Sequence, residues 1–206
     1  MISNLEEHIC PFILFEEWFH EATSKELNDP NAMTLATVDQ SGLPNARIVL
    51  LKGYTNEGFV FYTNTLSVKG TELKQHPRAA LVFHWKSLLK QIRIRGDVVP
   101  VSEQEADEYY ASRPYLSKIG AHASEQSRML DQRETFEQRI EMFKQKYPEN
   151  ARVPRPVYWS GFRLVPVEIE FWADRPFRLH DRTRFTRSNQ ANEQAQQGWS
   201  HIKLYP

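Results

Sequence analysis

Paired cysteines, glycine-rich loops, long apolar runs and an excess of either charge are all missing from this 206-residue chain. Cys10 is the only cysteine, which excludes an intrachain disulfide and any cysteine-rich zinc site and suits a reducing compartment. The seven histidines are scattered without the His-Glu-x-x-His spacing of a metal site, so no metal is expected. There is no Gly-x-Gly-x-x-Gly and no Walker loop, which argues against a Rossmann dinucleotide site and a P-loop. No apolar run approaches the roughly 20 residues that span a bilayer, and Met1 to Glu7 lacks the basic and apolar regions of a secretory signal. The expected location is the cytoplasm, away from membranes. Lys plus Arg balances Asp plus Glu at 26 each, so no global field draws nucleic acid or an anionic lipid surface. Any anion site must be a local cluster of cations.

What is present is apolar material for one sizeable core, 40% hydrophobic and 12% aromatic. One domain over 1–206 is expected, with an N-terminal segment and helix over 1–29 and a barrel with inserted helices and C-terminal strands over 30–206. Pro11 suits a first helical turn, and Phe12, Phe15, Trp18 and Phe19 share a face before Asn28-Asp29-Pro30 breaks the helix. From Met33 the pattern turns to short β-rich runs, Met33 to Val38, Ala46 to Leu51 and Phe59 to Tyr62, separated by Ser41-Gly42 and Asn56-Glu57-Gly58. Ser67 to Gln75 reads as a short helix, and Ala79 to Trp85 and Gln91 to Val101 as strands. Ser102-Glu-Gln-Glu105 matches a capping box for a helix that ends near Arg113, because Pro114 disfavours helical geometry before it. Glu134 to Lys146 reads as a helix that buries Phe136, Ile140 and Phe143; Gly161 to Trp172, Phe177 to Arg184 and Ile202 to Tyr205 read as strands. Ser188 to Gly198 reads as a surface loop. The expected class is α+β, an antiparallel barrel with flanking helices.

Four clusters have the chemistry to bind anions, and each also has a plain structural reading. Arg47 and Lys52 bracket an apolar strand; their odd separation predicts opposite faces, and both read equally as snorkelling surface cations. Tyr62-Thr63-Asn64 followed by Ser67-Val68-Lys69 offers a phosphate cradle at a helix N-terminus, or an ordinary Ser cap. Tyr109 and Arg113 share a helix face with Ser117 just beyond, suited to a phosphate monoester, or to a core Tyr and a C-terminal charge. Arg178, His180 and Arg182 fall on one face of a period-two strand, a row that asks for an anion unless it is a charged edge strand. Trp172 suits stacking on a planar ring as well as a core position.

In order along the chain, Asp29-Pro-Asn-Ala-Met33, Arg47-Ile-Val-Leu-Leu-Lys52, Phe61-Tyr-Thr-Asn64, Ser112-Arg-Pro114 with Ser117 and Ile119-Gly-Ala121, Gln126-Ser127, Ile169-Glu-Phe-Trp172 and Arg178-Leu-His-Asp-Arg182 resemble the pyridoxine/pyridoxamine 5′-phosphate oxidase family, from about Phe15 to Pro206. The resemblance implies an FMN-binding split barrel and a homodimer with FMN at the subunit interface. It assigns FMN to Arg47, Ile48, Val49, Leu50, Leu51, Lys52, Tyr62, Thr63, Lys69, Gln91, Gln126, Ser127, Trp172 and Arg182. It assigns the substrate phosphate to Lys52, Tyr109, Arg113 and Ser117, and places Arg178 and His180 over the pyridine ring as catalytic residues. The implied reaction oxidises pyridoxine or pyridoxamine 5′-phosphate to pyridoxal 5′-phosphate, with O2 as acceptor and hydrogen peroxide as by-product.

The chain departs from that pattern twice. Val68 stands where the family commonly has Arg, which implies weaker FMN retention, and Leu5-Glu-Glu-His8 replaces a basic stretch before the first helix. Two alternatives stay open: a related phenazine-biosynthesis-type flavin oxidase, and a non-catalytic module that binds FMN or pyridoxal phosphate.

Overall fold

The computed structural model describes residues 10–188 and 198–206. Its centre is a nine-stranded sheet of β1 (Ala32–Val38), β2 (Pro44–Leu50), β3 (Gly53–Thr55), β4 (Gly58–Asn64), β5 (Arg78–Trp85), β6 (Lys90–Pro100), β7 (Trp159–Ala173), β8 (Asp181–Arg187) and β9 (Trp199–Lys203). The main path runs β2-β1-β5-β6-β7-β4-β3, with β8 pairing β7 and β9, and every pairing is antiparallel. The sheet curls because residues 51 and 52 link its two ends: Leu51 N–H donates to Asn31 O at 2.8 Å and Lys52 N–H to Val60 O at 2.9 Å. A bulge between Arg95 and Gly96 accommodates Pro166, which has no amide for the ladder.

Helix α1 (Pro11–Lys25) plugs the curl with its apolar face, as the sequence predicts. Phe15 is fully buried, its ring 4.9 Å from those of Tyr54 and Phe59 and 5.4 Å from that of Phe83. Four more helices sit between strands: α2 (Val68–Gln75), α3 (Glu103–Ser112), α4 (Tyr115–Ala123) and α5 (Arg133–Lys146). Ser102 caps α3 by accepting from the Glu105 amide at 3.1 Å. Among the described residues, no helix is long and apolar enough to cross a membrane.

Several expectations need correction. Helix α4 is not expected from the sequence, where Pro114 reads only as a stop; in the fold Pro114 is also the N-cap from which the chain restarts. No residue of α5 is buried, so Phe136, Ile140 and Phe143 only half-cover one face. The run from Phe177 is no strand: Pro176–Arg178 is a 3-10 turn, Phe177 and Arg178 have φ of 61° and 64°, and β8 begins at Asp181. Arg178 therefore does not share a strand face with His180 and Arg182. The last strand is Trp199–Lys203, and most of the loop from Ser188 to Gly198, like Leu5 to His8, lies outside the described residues.

Candidate functional site

A cavity of about 720 Å³ opens between β2, β4, the start of α2, the end of α3 and α4. At one end Ser67, fully buried, caps α2 by accepting from the Gly70 amide at 3.4 Å. The loop before it is wound tightly: a Cβ on Gly70 would lie 2.6 Å from the Thr65 carbonyl. This delivers Lys69 into the cavity, where Nζ lies 3.4 Å from Gln126 Oε1, which also accepts from Thr63 Oγ1 at 3.3 Å. Burial, and then the nearby Arg47, lowers the Lys69 pKa, with Glu72 opposing. Arg47 donates to Glu72 at 3.1 Å and to Thr37. Glu72 is buried, which favours its neutral form, but hydrogen bonds from Thr37, Asn45 and Arg47 hold its carboxyl below the usual range.

The other end is aromatic. Tyr62 stacks on Tyr109 at 4.1 Å and on Trp159 at 5.3 Å, with interplanar angles of 18° and 7°. Burial, and then Glu105, pushes the Tyr62 phenol up to about 12, so it stays protonated. The stack exists because Gly161 lies opposite Tyr62 in the β4–β7 ladder, where a Cβ would come within 2.7 Å of the ring. Helix α3 is pinned to β7 by Arg163 to Glu105 at 3.0 Å and to the segment before β7 by Arg155 to Asp107 at 2.6 Å. Its end carries Arg113, whose guanidinium lies 4.7 Å from the Trp159 ring centre and whose Nη1 is buried without a hydrogen-bond partner among the described residues. Burial lowers the Arg113 pKa, with Tyr110 and Tyr109 opposing. Ser117 from α4 and Lys52, just past β2, complete the lining.

Of the residues singled out in the sequence, Arg47, Ile48, Val49, Leu50, Lys52, Tyr62, Thr63, Lys69, Tyr109, Arg113, Ser117 and Gln126 line this one cavity. Arg47 and Lys52 share it despite their odd spacing, because β2 ends at Leu50 and strand alternation does not reach Lys52. Leu51 does not join them: its side chain is core and its carbonyl accepts from Asn31 at 3.0 Å. Ser127, at φ 70°, lines neighbouring hollows instead, one of them with Val68.

A second group lies at the far end of β6 and β7. Gln91, Trp172 and Arg182 are direct cross-strand partners, and Arg182 donates to the buried Glu170 at 3.0 Å and to Tyr205 O at 3.0 Å. His180 packs on Trp172 with ring centres 4.6 Å apart, and its Nδ1 lies 2.8 Å from Asp174 Oδ1. Arg178 is exposed on its turn. None of these five lines the cavity; Trp172 is about 13 residues along β7 from Trp159, roughly 40 Å of strand contour. Sequence reading missed Thr37, Glu72, Trp159, Gly161 and Asp174. Only Trp159-Ser-Gly161, an aromatic beside a strand glycine, carried a local signal. Among the described residues no group of three or more His, Cys, Asp or Glu is placed to hold a metal ion.

The curled antiparallel sheet, its helical plug and a cavity walled by cations and stacked rings define an FMN-binding-type split barrel. Residues 19–147 match the pyridoxamine 5′-phosphate oxidase family, and 159–206 the pyridoxine 5′-phosphate oxidase C-terminal dimerisation region. The chain belongs to the pyridoxine/pyridoxamine 5′-phosphate oxidase family. It is 57% identical over 196 residues to the pyridoxine/pyridoxamine 5′-phosphate oxidase of Azorhizobium caulinodans, covering 95% of this chain and 90% of that protein. It is 53% identical over 204 residues to the one from Agrobacterium fabrum, covering 99% and 96%. The crystal structure of PhzG from Burkholderia lata 383 in complex with tetrahydrophenazine-1-carboxylic acid superposes with a TM-score of 0.88 at 29% identity, covering 99% of this chain and 95% of that one. A pyridoxamine 5′-phosphate oxidase-related, FMN binding protein from Nostoc punctiforme shares the fold, with a TM-score of 0.75 at 18% identity over 96% and 99% of the two chains.

Proposed function

We propose that the protein is an FMN-dependent oxidase that converts pyridoxine or pyridoxamine 5′-phosphate to pyridoxal 5′-phosphate, working in the cytoplasm as a homodimer. The observation that carries this reading is that one cavity has two separate anion-binding ends. Lys69 at the capped start of α2 suits the cofactor phosphate. Arg113, with an unpartnered buried Nη1, suits the substrate phosphate together with Lys52, Tyr109 and Ser117. The donor set thus fits FMN, with Arg47 to Leu50, Tyr62, Thr63 and Gln126 along the same wall. Gln91, Trp172 and Arg182 would complete the flavin site from a second copy, and Arg178 and His180 would cover the substrate ring from the same side.

The flavin, when bound, supplies a two-electron acceptor that O2 reoxidises to give hydrogen peroxide. The chain's own contribution is position and exclusion of water. Arg113 and Lys52 anchor one end of the substrate, the aromatic wall keeps its ring in plane, and His180 would take up the proton given up by the substrate's hydroxyl or amine. The same architecture in PhzG makes a tricyclic acid the competing substrate class, but a phosphate-sized cation cluster at Arg113 favours the phosphate monoester. The test is direct. Purified protein loaded with FMN should be yellow, be bleached anaerobically by pyridoxine 5′-phosphate, and release peroxide in air; a protein that takes up no FMN overturns the reading. Bleaching by a phenazine precursor alone would favour the second, and binding without turnover a non-catalytic module.

A further inference from the structure

A phosphate monoester carries about −1.5 to −2 at neutral pH, and the Lys69 end of the cavity does not balance it. Lys69 supplies one full charge, and the start of α2 about half of another. Arg47 adds none in net, because Glu72 is paired with it at 3.1 Å. Val68, the first residue of α2, brings no charge.

A further cation lies on the other side of Gln126. Residues 125–128 form a turn closed by the Arg128 amide, which donates to Glu125 O at 2.9 Å, with Ser127 left-handed at φ 70° in its third position. The turn is docked beside Lys69, since Gln126 Oε1 lies 3.4 Å from Nζ. Arg128 lines two hollows there. One it shares with Asn64 and Gln126, which also wall the cavity; the other it shares with Leu66 and Val68, which flank the Ser67 cap. The acids lining these hollows are engaged elsewhere. Asp39 accepts from the Ser41 and Leu43 amides at 2.8 and 3.0 Å, Glu72 accepts from Thr37, Asn45 and Arg47, and Glu125 pairs with Arg139 at 2.7 Å. Arg128 is exposed, and among the described residues its guanidinium has no hydrogen bond or ion pair.

We propose that Arg128 is the second cation of the cofactor phosphate site, contributed by the 125–128 turn where α2 begins with the uncharged Val68. This rests on the reading above that FMN binds with its phosphate at Lys69. With Lys69 and the helix start, Arg128 supplies the charge that balances the phosphate. An exposed guanidinium gives up water and rotamer freedom when it engages, so the contact should be worth about tenfold in affinity rather than a hundredfold.

The test titrates apoprotein with FMN and with riboflavin, which lacks the phosphate, following the quenching of flavin fluorescence in wild type, Arg128→Ala, Val68→Arg and the double variant. Arg128→Ala should weaken FMN about tenfold, leave riboflavin within about twofold, and leave the Tm of the apoprotein unchanged. Val68→Arg should restore most of the lost affinity in the Arg128→Ala background and add only a few-fold in the wild type, where the phosphate is already balanced. The proposal is overturned if Arg128→Ala keeps the wild-type preference for FMN over riboflavin, if it weakens both flavins alike, or if Val68→Arg has the same effect in both backgrounds. A wild type that binds the two flavins equally, or neither, overturns the placement of the phosphate at Lys69, and with it the proposal.

Discussion

In the cavity, Arg47, Lys52, Lys69 and Arg113 line the walls and Glu72 is the acid paired with Arg47; at the far end of β6 to β8, Arg182, Arg175 and His180 each lie against a carboxylate, Arg182 sharing Glu170 with Arg93. The first region is short of negative charge and the second is balanced. A region that lacks anions is a receptor for them, whereas balanced side chains are being aimed. The two regions lie apart on one chain, and the proposed reaction requires them together.

The largest expected effect comes from mixing two variants, Arg113→Met and His180→Asn, each impaired at substrate concentrations far below KM, and letting subunits exchange. If each site takes its cavity from one copy and its far-end residues from another, random pairing should restore about a quarter of wild-type activity. No recovery would place both regions of each site on one chain. Next in size is Glu72→Ala, which strands the Arg47 guanidinium beside Lys69 and should cost about 3 kcal/mol, a fall in Tm of roughly 6–12 °C. The sign with pH follows from the lowered carboxyl of Glu72, whose ordinary value is 4.5. Its contribution is complete above that value and lost as pH falls through the folded one, so the gap between wild type and Glu72→Gln in urea melts should close in acid. An unchanged gap would mean that the carboxylate is not the stabilising group.

Arg113→Met should raise KM for the phosphorylated substrate about 30-fold, corresponding to about 2 kcal/mol for a charge-assisted contact, with no fall in Tm, since the guanidinium has an unpartnered buried nitrogen to lose. A large fall in Tm would assign Arg113 to the core. The smallest effect is expected from Val68→Arg. Val68 is half-exposed at the start of α2 and lines the hollow beside Ser127, so an added guanidinium should tighten FMN only a few-fold in fluorescence titrations. Equal affinities would show that this position does not reach the cofactor phosphate.

Most strands and α1 were legible because their apolar periods are local, and Ser102 caps α3 as its sequence predicts, while the Glu105 carboxylate accepts from Arg163. What was not legible depends on contacts distant in the chain or on backbone choices. Glu72 reads as an ordinary helix acid until the fold brings Arg47, 25 residues away, against it. Pro114 hid α4 because one proline both stops a helix and starts the next, though Tyr115, Ile119 and Ala123 carried the spacing. Strand alternation failed at Arg178 because Pro176 opens a turn whose next two residues are left-handed, which no period-two reading anticipates. The cavity cluster from Tyr62 to Ser117 came through because each part lies at the end of a regular element.

Gly161 contributes no atom to the cavity, yet it determines how wide the cavity is. The aromatic wall lies as far back as the missing side chain permits, with Tyr62 resting where a Cβ would be. Adding a single methyl there would push three stacked rings forward and narrow the slot from behind. The gauge of the opening, and with it the thickness of molecule admitted, is thus written on the far side of its own wall.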